Sequence, residues 1–125
     1  MSEIKQKSKD KKLTKKQLQK LERLKIKKAL REWSIAVRNR DNNKCVICKT
    51  DKFLHAHHIL PKEAKIFHFL RLDINNGISL CARHHKYSYE ISPHKNPFLF
   101  MFWLINNKTK QVLYLNDKLK QKTTE

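Results

Sequence analysis

Side chains that bind metals are concentrated in one stretch of this sequence, from Cys45 to His85. The stretch holds all three cysteines, six of the seven histidines and the only glycine of the 125-residue chain. Thiolate and imidazole are ligands that Zn²⁺ prefers, and imidazole also accepts protons near neutral pH. The residue types therefore predict metal binding with general-base chemistry beside it.

Two pairs with the same two-residue gap predict a structural zinc site. Cys45 and Cys48 form a knuckle that directs two thiolates to one point, and Cys81 and His84 repeat the gap. Structural zinc takes four S or N ligands in a tetrahedron, and the two pairs supply them. His85 follows Cys81 after a three-residue gap and also suits a ligand, but the matching gap favours His84. A redox role for the cysteine pair is disfavoured because it leaves Cys81 and the histidines without a function.

Short strands and a helix must position these ligands. Residues 53–59 and 78–80 predict strands, Asn75-Asn76-Gly77 predicts a turn, and residues 82–90 predict a helix. Pro61 ends the first strand, and residues 61–75 indicate a loop with a helical turn. Adjacent residues of a strand point to opposite faces, so His57 and His58 are expected to have different roles.

Helices are predicted on both sides of this core. A capping box at Thr14 and an apolar spacing that includes Trp33 and Val37 predict an amphipathic helix over residues 14–39. Asn96-Pro97 predicts the start of a second helix to about Asn106, which is apolar enough that we expect it to pack on the first. Residues 110–119 fit a helix or a strand. We expect a disordered basic arm (1–13), one α+β domain (14–119, with its core at 45–90 and C-terminal packing elements at 97–119) and a frayed tail (120–125).

The charge of the chain indicates a polyanionic partner. The formal net charge is +18, and residues 1–40 carry 15 basic against 4 acidic side chains. Lysine and arginine contacts to phosphates supply affinity for nucleic acid that does not depend on base sequence. An AT-rich genome also favours lysine codons, and a basic surface also serves solvation. An odd number of cysteines and a polar N-terminal segment predict a reduced, cytoplasmic compartment and no membrane association.

The motifs together resemble the HNH family of endonucleases. The resemblance rests on His57-His58-Ile59-x-Pro61, Asn76-Gly-Ile-Ser-Leu-Cys81 and His84-His85, framed by the cysteine pair, and covers residues 38–94. It implies a small ββα-metal finger of treble-clef type. It also implies that His58 is the general base, that His57 and His85 bind a catalytic divalent ion, and that Asn76 holds the loop of the base.

Two positions depart from the family pattern. His84 stands where the zinc-bearing members have a fourth cysteine, so the structural site would have three thiolates and one imidazole. His57 stands where the family often has aspartate. Imidazole ligands suit Zn, Ni, Co or Mn better than Mg, which prefers oxygen, so the identity of the catalytic ion stays open among these metals.

The expected function is metal-dependent hydrolysis of phosphodiester bonds in double-stranded DNA, by nicking or by cutting both strands. The reaction needs a water molecule, a base to deprotonate it and positive charge on the phosphate and the leaving oxygen. Lys62, Arg83 and Lys86 are candidates for phosphate contacts, and no small-molecule cofactor is expected. By resemblance the products carry 5′-phosphate and 3′-hydroxyl ends. The compact chain is phage-like, which would place its action in the cytoplasm of a host cell.

Two other functions fit part of the sequence. One is a non-catalytic zinc finger that binds nucleic acid, and the other is a structural zinc protein of a larger nucleoprotein assembly. Both explain the cysteines and the charge, but they give His57, His58 and His85 no role. The remaining histidines, His55, His68 and His94, are expected to be surface or packing residues.

Overall fold

The computed structural model describes residues 11–124 and confirms the predicted α+β fold. Three helices flank a two-stranded sheet, in the order α1 (Lys15–Arg40), β1 (Leu54–His58), β2 (Gly77–Cys81), α2 (Pro97–Asn107) and α3 (Thr109–Thr124). Short 3₁₀ turns lie at Lys65–Leu70 and Ile74–Asn76, between the strands. Most of the predicted basic arm, residues 1–10, lies outside the described residues.

The hairpin of β1 and β2 is the centre of the fold. The strands are antiparallel, with His57 opposite Ile78 and His58 opposite Gly77. Every residue of β2 is buried, and the knuckle joins it through a hydrogen bond from the Val46 backbone N–H to the Ser79 carbonyl at 3.1 Å. This bond fixes the first cysteine pair next to the strand that delivers Cys81. The cysteine-rich knuckle, the hairpin and the helical turn after it therefore form one finger.

The helix predicted over residues 82–90 is wrong in length, because only a helical turn at Arg83–Tyr87 is present. The turn ends with a hydrogen bond from the Ser88 N–H to the Arg83 carbonyl. The Ser88 hydroxyl then accepts from the N–H groups of Glu90 and Ile91. A serine side chain that takes the next backbone donors competes with helix propagation, so the chain turns away here.

Helix α1 begins as predicted and packs over only its second half. Thr14 caps the helix, and its hydroxyl and the Gln17 side chain form the reciprocal capping-box bonds. Trp33 and Val37 are buried, but Leu18 and Leu24 are about half exposed. The amphipathic packing predicted for the whole helix is therefore wrong for the first half. Apolar residues spaced three apart drift around a helix with 3.6 residues per turn, so these leucines do not continue the stripe of Trp33.

Helix α2 packs on the finger, and the prediction that it packs on α1 is wrong. Phe100 and Leu104 are buried in a cluster with residues of the finger, including Cys45 and Ile78. Phe98 and Phe102, on the opposite side of the helix, are 78% and 63% exposed. Both faces of this helix are apolar, so its sequence did not reveal which face would be covered.

The segment over residues 110–119, which fitted either a helix or a strand, is part of helix α3. The helix continues to Thr124, beyond the end predicted at Leu119. Gln111 donates from its side chain to the carbonyls of Asn75 and Gly77, and the Tyr114 hydroxyl donates to Asp73 at 2.6 Å. These bonds fix the turn that precedes β2. Within residues 11–124, the helices lack the length and apolar character needed to cross a lipid bilayer.

Gly77→Ala is expected to destabilise the finger by about 1–3 kcal/mol, the usual cost of overpacking a core. The backbone at Gly77 is extended, so conformation does not require glycine. Glycine is required here by the lack of space, because an added Cβ would lie 2.5 Å from Trp33 Cζ2 and from Val37 Cγ2. Equilibrium denaturation measures the loss. Ser79→Ala, in the same strand, is the control: the buried Ser79 hydroxyl has no hydrogen-bond partner among the described residues, so stability should be unchanged or higher. Equal stability of Gly77→Ala and the wild type would contradict this packing.

Candidate metal centre and active site

The four predicted zinc ligands converge in one cluster. The Cys48 and Cys81 Sγ atoms are 3.8 Å apart, and His84 Nδ1 lies 3.7 Å from Cys45 Sγ and 3.2 Å from Cys81 Sγ. A zinc tetrahedron with Zn–S bonds of about 2.3 Å and Zn–N bonds of about 2.0 Å has edges of about 3.8 Å between sulfurs and about 3.5 Å between sulfur and nitrogen. The three thiols and one imidazole therefore fit a structural zinc ion.

The environment of the cysteines also favours a cation. Burial raises the pKa of the Cys81 thiol to about 11, and the adjacent Cys45 adds to the rise. Burial also acts on Cys45, but backbone N–H groups of Cys48 and Cys81 outweigh it and lower the pKa of the Cys45 thiol. Thiolates this close repel one another in a buried site, and a divalent cation removes that repulsion.

Three histidines form a second cluster, which we call the histidine cluster: His57, His85 and His94. His85 Nε2 lies 3.2 Å from His57 Nδ1 and 3.2 Å from His94 Nε2. Burial, together with the neighbouring histidines, lowers the pKa of His57 to about 3 and that of His85 to about 4. Both rings are therefore neutral at pH 7 with lone pairs available, which is the form that binds a metal ion.

The adjacent histidines His84 and His85 point into different clusters. His84 completes the cysteine site and is buried, whereas His85 is partly buried and belongs to the histidine cluster. This division is the one predicted from the repeated two-residue gap. One helical turn therefore contributes a side chain to each of two clusters that could hold a metal ion.

His58 lies outside both clusters and is held by two contacts. Its ring stacks on Trp33 with a centroid distance of 3.7 Å and an interplanar angle of 9°, and Nε2 lies 2.9 Å from the Arg71 carbonyl. A carbonyl oxygen only accepts, so Nε2 carries the proton and Nδ1 keeps a lone pair. Burial lowers the pKa of His58, which favours this neutral form. His57 contacts Phe100 instead, as the alternation of a strand predicts.

The Asn76 side chain forms hydrogen bonds with the loop that holds His58. The side chain is fully buried, its Oδ1 accepts from the Leu60 N–H at 2.7 Å, and its Nδ2 donates to the carbonyls of Leu60 and Leu70. Leu60 lies two residues after His58, so these bonds fix the segment that leaves the strand. Leu70 lies next to Arg71, whose carbonyl holds His58. One amide therefore restrains both ends of the loop around the ring.

A cleft of about 580 Å³ opens beside the histidines. His57, His58, His85 and His94 line it together with Lys62 and Lys86. Of the three basic residues predicted to contact phosphates, Arg83 is exposed but is not among the residues that line the cleft. The cleft therefore combines the histidine cluster, a separate imidazole and positive charge on one surface.

The structure assigns contacts to two histidines that we expected to be surface or packing residues. His94 is the third member of the histidine cluster, and His55 Nδ1 lies 2.9 Å from His85 Nδ1. The period of two along β1 places His55 on the face of His57, so the sequence did contain that indication. His68 belongs to neither cluster of the described residues.

The comparison with protein families agrees with this geometry. Residues 45–88 match the family model described as HNH endonuclease. No curated protein and no solved structure matches the chain. The matched residues contain the knuckle, both strands, Asn76 and the turn with His84 and His85, and the whole segment folds as a hairpin followed by a helical turn around a Cys₃His cluster. Over residues 45–88 the chain is therefore similar to the HNH endonuclease family, and this segment has the hairpin, helical turn and Cys₃His cluster of a ββα-metal finger.

Proposed function

We propose that this protein is a metal-dependent endonuclease that hydrolyses phosphodiester bonds of double-stranded DNA. The observation that carries the proposal is the position of His58. Its ring is fixed through Nε2, its Nδ1 keeps a lone pair, and it lines the same cleft as the histidine cluster without belonging to that cluster. A base must stay off the metal to accept a proton, and His58 meets this condition.

The residues of the cleft divide the reaction among them. His58 Nδ1 accepts a proton from water, whose oxygen then bonds to phosphorus as the bond from phosphorus to the 3′ oxygen breaks. The Arg71 carbonyl stabilises the resulting imidazolium because it accepts from the Nε2–H. Asn76 keeps the ring in position through the Leu60 and Leu70 backbone. Lys62 and Lys86 contribute positive charge toward the phosphate.

The donor set of the histidine cluster fits a divalent ion. Three imidazole nitrogens within 4.8 Å of one another match the preferences of Zn, Ni, Co and Mn more closely than those of Mg. His57, His85 and His94 would hold the ion, where it supplies positive charge for the phosphate and the departing 3′ oxygen. His94 extends the ligand pair implied by the family resemblance to three.

The exposed first half of α1 gives the domain a basic extension toward DNA. Residues 15–28 carry seven basic side chains and one acidic side chain, and nearly all of them are exposed. At about 1.5 Å per residue this half-helix is about 20 Å long, enough to follow several phosphates. A binding measurement distinguishes DNA contact by this half-helix from a merely solvated helix face.

Replacing Lys20 and Lys27 by glutamine is expected to weaken DNA binding at low salt and to flatten its salt dependence. Each lost phosphate contact reduces the slope of log K against log salt by about 0.9. Fluorescence anisotropy over a salt series measures the slope. Lys52→Gln with Lys110→Gln makes the same charge change outside α1 and should leave the slope unaltered. Equal slopes for the two double variants would show that α1 makes no special contact.

A plasmid-nicking assay tests the proposed function. Zinc-loaded protein is incubated with supercoiled plasmid and Mn²⁺, Ni²⁺, Co²⁺ or Mg²⁺, and the relaxed and linear forms are measured. We expect metal-dependent relaxation, with Mn²⁺, Ni²⁺ or Co²⁺ more effective than Mg²⁺. Protein that binds the plasmid but relaxes it with none of these ions would instead be a non-catalytic zinc finger.

A further inference from the structure

His55 faces the side of His85 that points away from the histidine cluster. His85 Nε2 lies 3.2 Å from both other members of the cluster, and its second nitrogen, Nδ1, lies 2.9 Å from His55 Nδ1. The two rings meet edge to face, with an interplanar angle of 82°. His85 is therefore bounded by the cluster on one side and by His55 on the other.

This arrangement fixes where the protons lie. A neutral imidazole carries one N–H, and a nitrogen that binds a metal ion must be free of its proton. If Nε2 of His85 holds an ion in the cluster, its proton lies on Nδ1 and is donated to His55 Nδ1. His55 then accepts at Nδ1 and carries its own proton on Nε2. The reverse arrangement would direct an N–H of His85 at two other imidazole nitrogens.

The fold accounts for the position of His55. His55 and His57 are two residues apart on β1 and share one face of the hairpin, and His55 pairs with Leu80 on β2. The turn that carries His85 begins at Arg83, just after β2. A side chain on this face of β1 therefore meets the Nδ1 edge of His85.

We infer that His55 is a positioning residue that orients His85 for metal binding. It accepts the Nδ1–H of His85, holds the ring in the tautomer whose Nε2 faces the cluster, and makes no bond to the ion itself. Hydrogen-bond acceptors behind ligating histidines typically contribute 10–100-fold to metal affinity. The inference rests on the proposed function, because it requires that the histidine cluster bind a divalent ion.

Two variants separate hydrogen bonding from packing. His55→Phe keeps a ring of similar size but has no acceptor. His55→Asn loses the ring but places an amide oxygen close to the position of Nδ1. Zinc-loaded protein is titrated with Co²⁺, and binding is followed by calorimetry and by the visible absorption of the bound ion. We expect His55→Phe to weaken Co²⁺ binding by about 10–100-fold and His55→Asn to retain affinity near that of the wild type.

The outcomes distinguish the inference from the function on which it rests. If wild-type protein takes up no Co²⁺ beyond its structural zinc, the proposed metal site fails and His55 has no ligand to orient. If the wild type binds Co²⁺ and His55→Phe binds it equally well, the positioning role is wrong while the function stands. Loss of affinity in His55→Asn as large as in His55→Phe would show that the ring packs and does not accept. Melting temperatures of all three proteins report any general loss of folding.

Discussion

His58→Ala is expected to reduce the rate of DNA cleavage by about 10²–10⁴-fold, the usual contribution of a general base. Among the described residues that line the cleft, the variant removes the one imidazole that lies outside the histidine cluster. It leaves the ligands of both metal clusters and all basic side chains in place, so metal content and DNA affinity should stay near wild type. Single-turnover cleavage of a labelled duplex measures the rate.

Two controls make the result specific to the base. His68→Ala removes a histidine that belongs to neither cluster and should cleave at the wild-type rate. The missing ring beside Trp33 leaves space for a small base, so added imidazole should restore part of the activity of His58→Ala. Cleavage by His58→Ala at the wild-type rate would show that another group deprotonates the water.

Cys45→Ser is expected to abolish folding of the finger. Cys45 is fully buried and belongs to both the zinc cluster and the apolar core around Phe100. Binding free energy at structural zinc sites, about 10–16 kcal/mol, is largely folding free energy, and it is as large as the whole stability of a typical domain, about 5–15 kcal/mol. Circular dichroism and thermal melting of the variant, and of wild-type protein treated with a strong chelator, measure the loss.

The matched control for this prediction is His85→Ala. His85 adjoins the zinc ligand His84 but belongs to the histidine cluster, so its loss should leave zinc content and melting temperature near those of the wild type. A cooperative melting transition of Cys45→Ser at the wild-type temperature, with one zinc ion bound, would contradict the assignment of the structural site.

The Cys₃His cluster and the division of His84 and His85 between two clusters were predictable because they depend on local spacing. A knuckle with a two-residue gap brings its two ligands together by itself. The same gap between Cys81 and His84 predicted the second pair of ligands without knowledge of the rest of the fold. The family resemblance also implied hydrogen bonds from Asn76, and these too depend on local structure. They join backbone within a single finger.

Other features depend on tertiary structure and were not predictable. His94 reaches the histidine cluster because Ser88 and Ser92 bend residues 88–96 back toward the cleft through hydrogen bonds to the backbone. The pattern of α2 was ambiguous because both of its faces are apolar. The first half of α1 is exposed because its leucines do not lie on the helix face that carries Trp33. Strand alternation places His55 on the same face of β1 as His57. Its contact with His85 could be inferred only once the structure showed that His85 lies against this face.

The central claim is that His84 and His85 serve two different metal sites, and native mass spectrometry of metal-loaded protein tests it directly. Wild-type protein is expected to carry two ions per chain, one of them zinc, and His85→Ala is expected to carry the zinc alone. Wild-type protein with a single ion under these conditions, or a His85→Ala variant that loses zinc and keeps the second ion, would contradict the account.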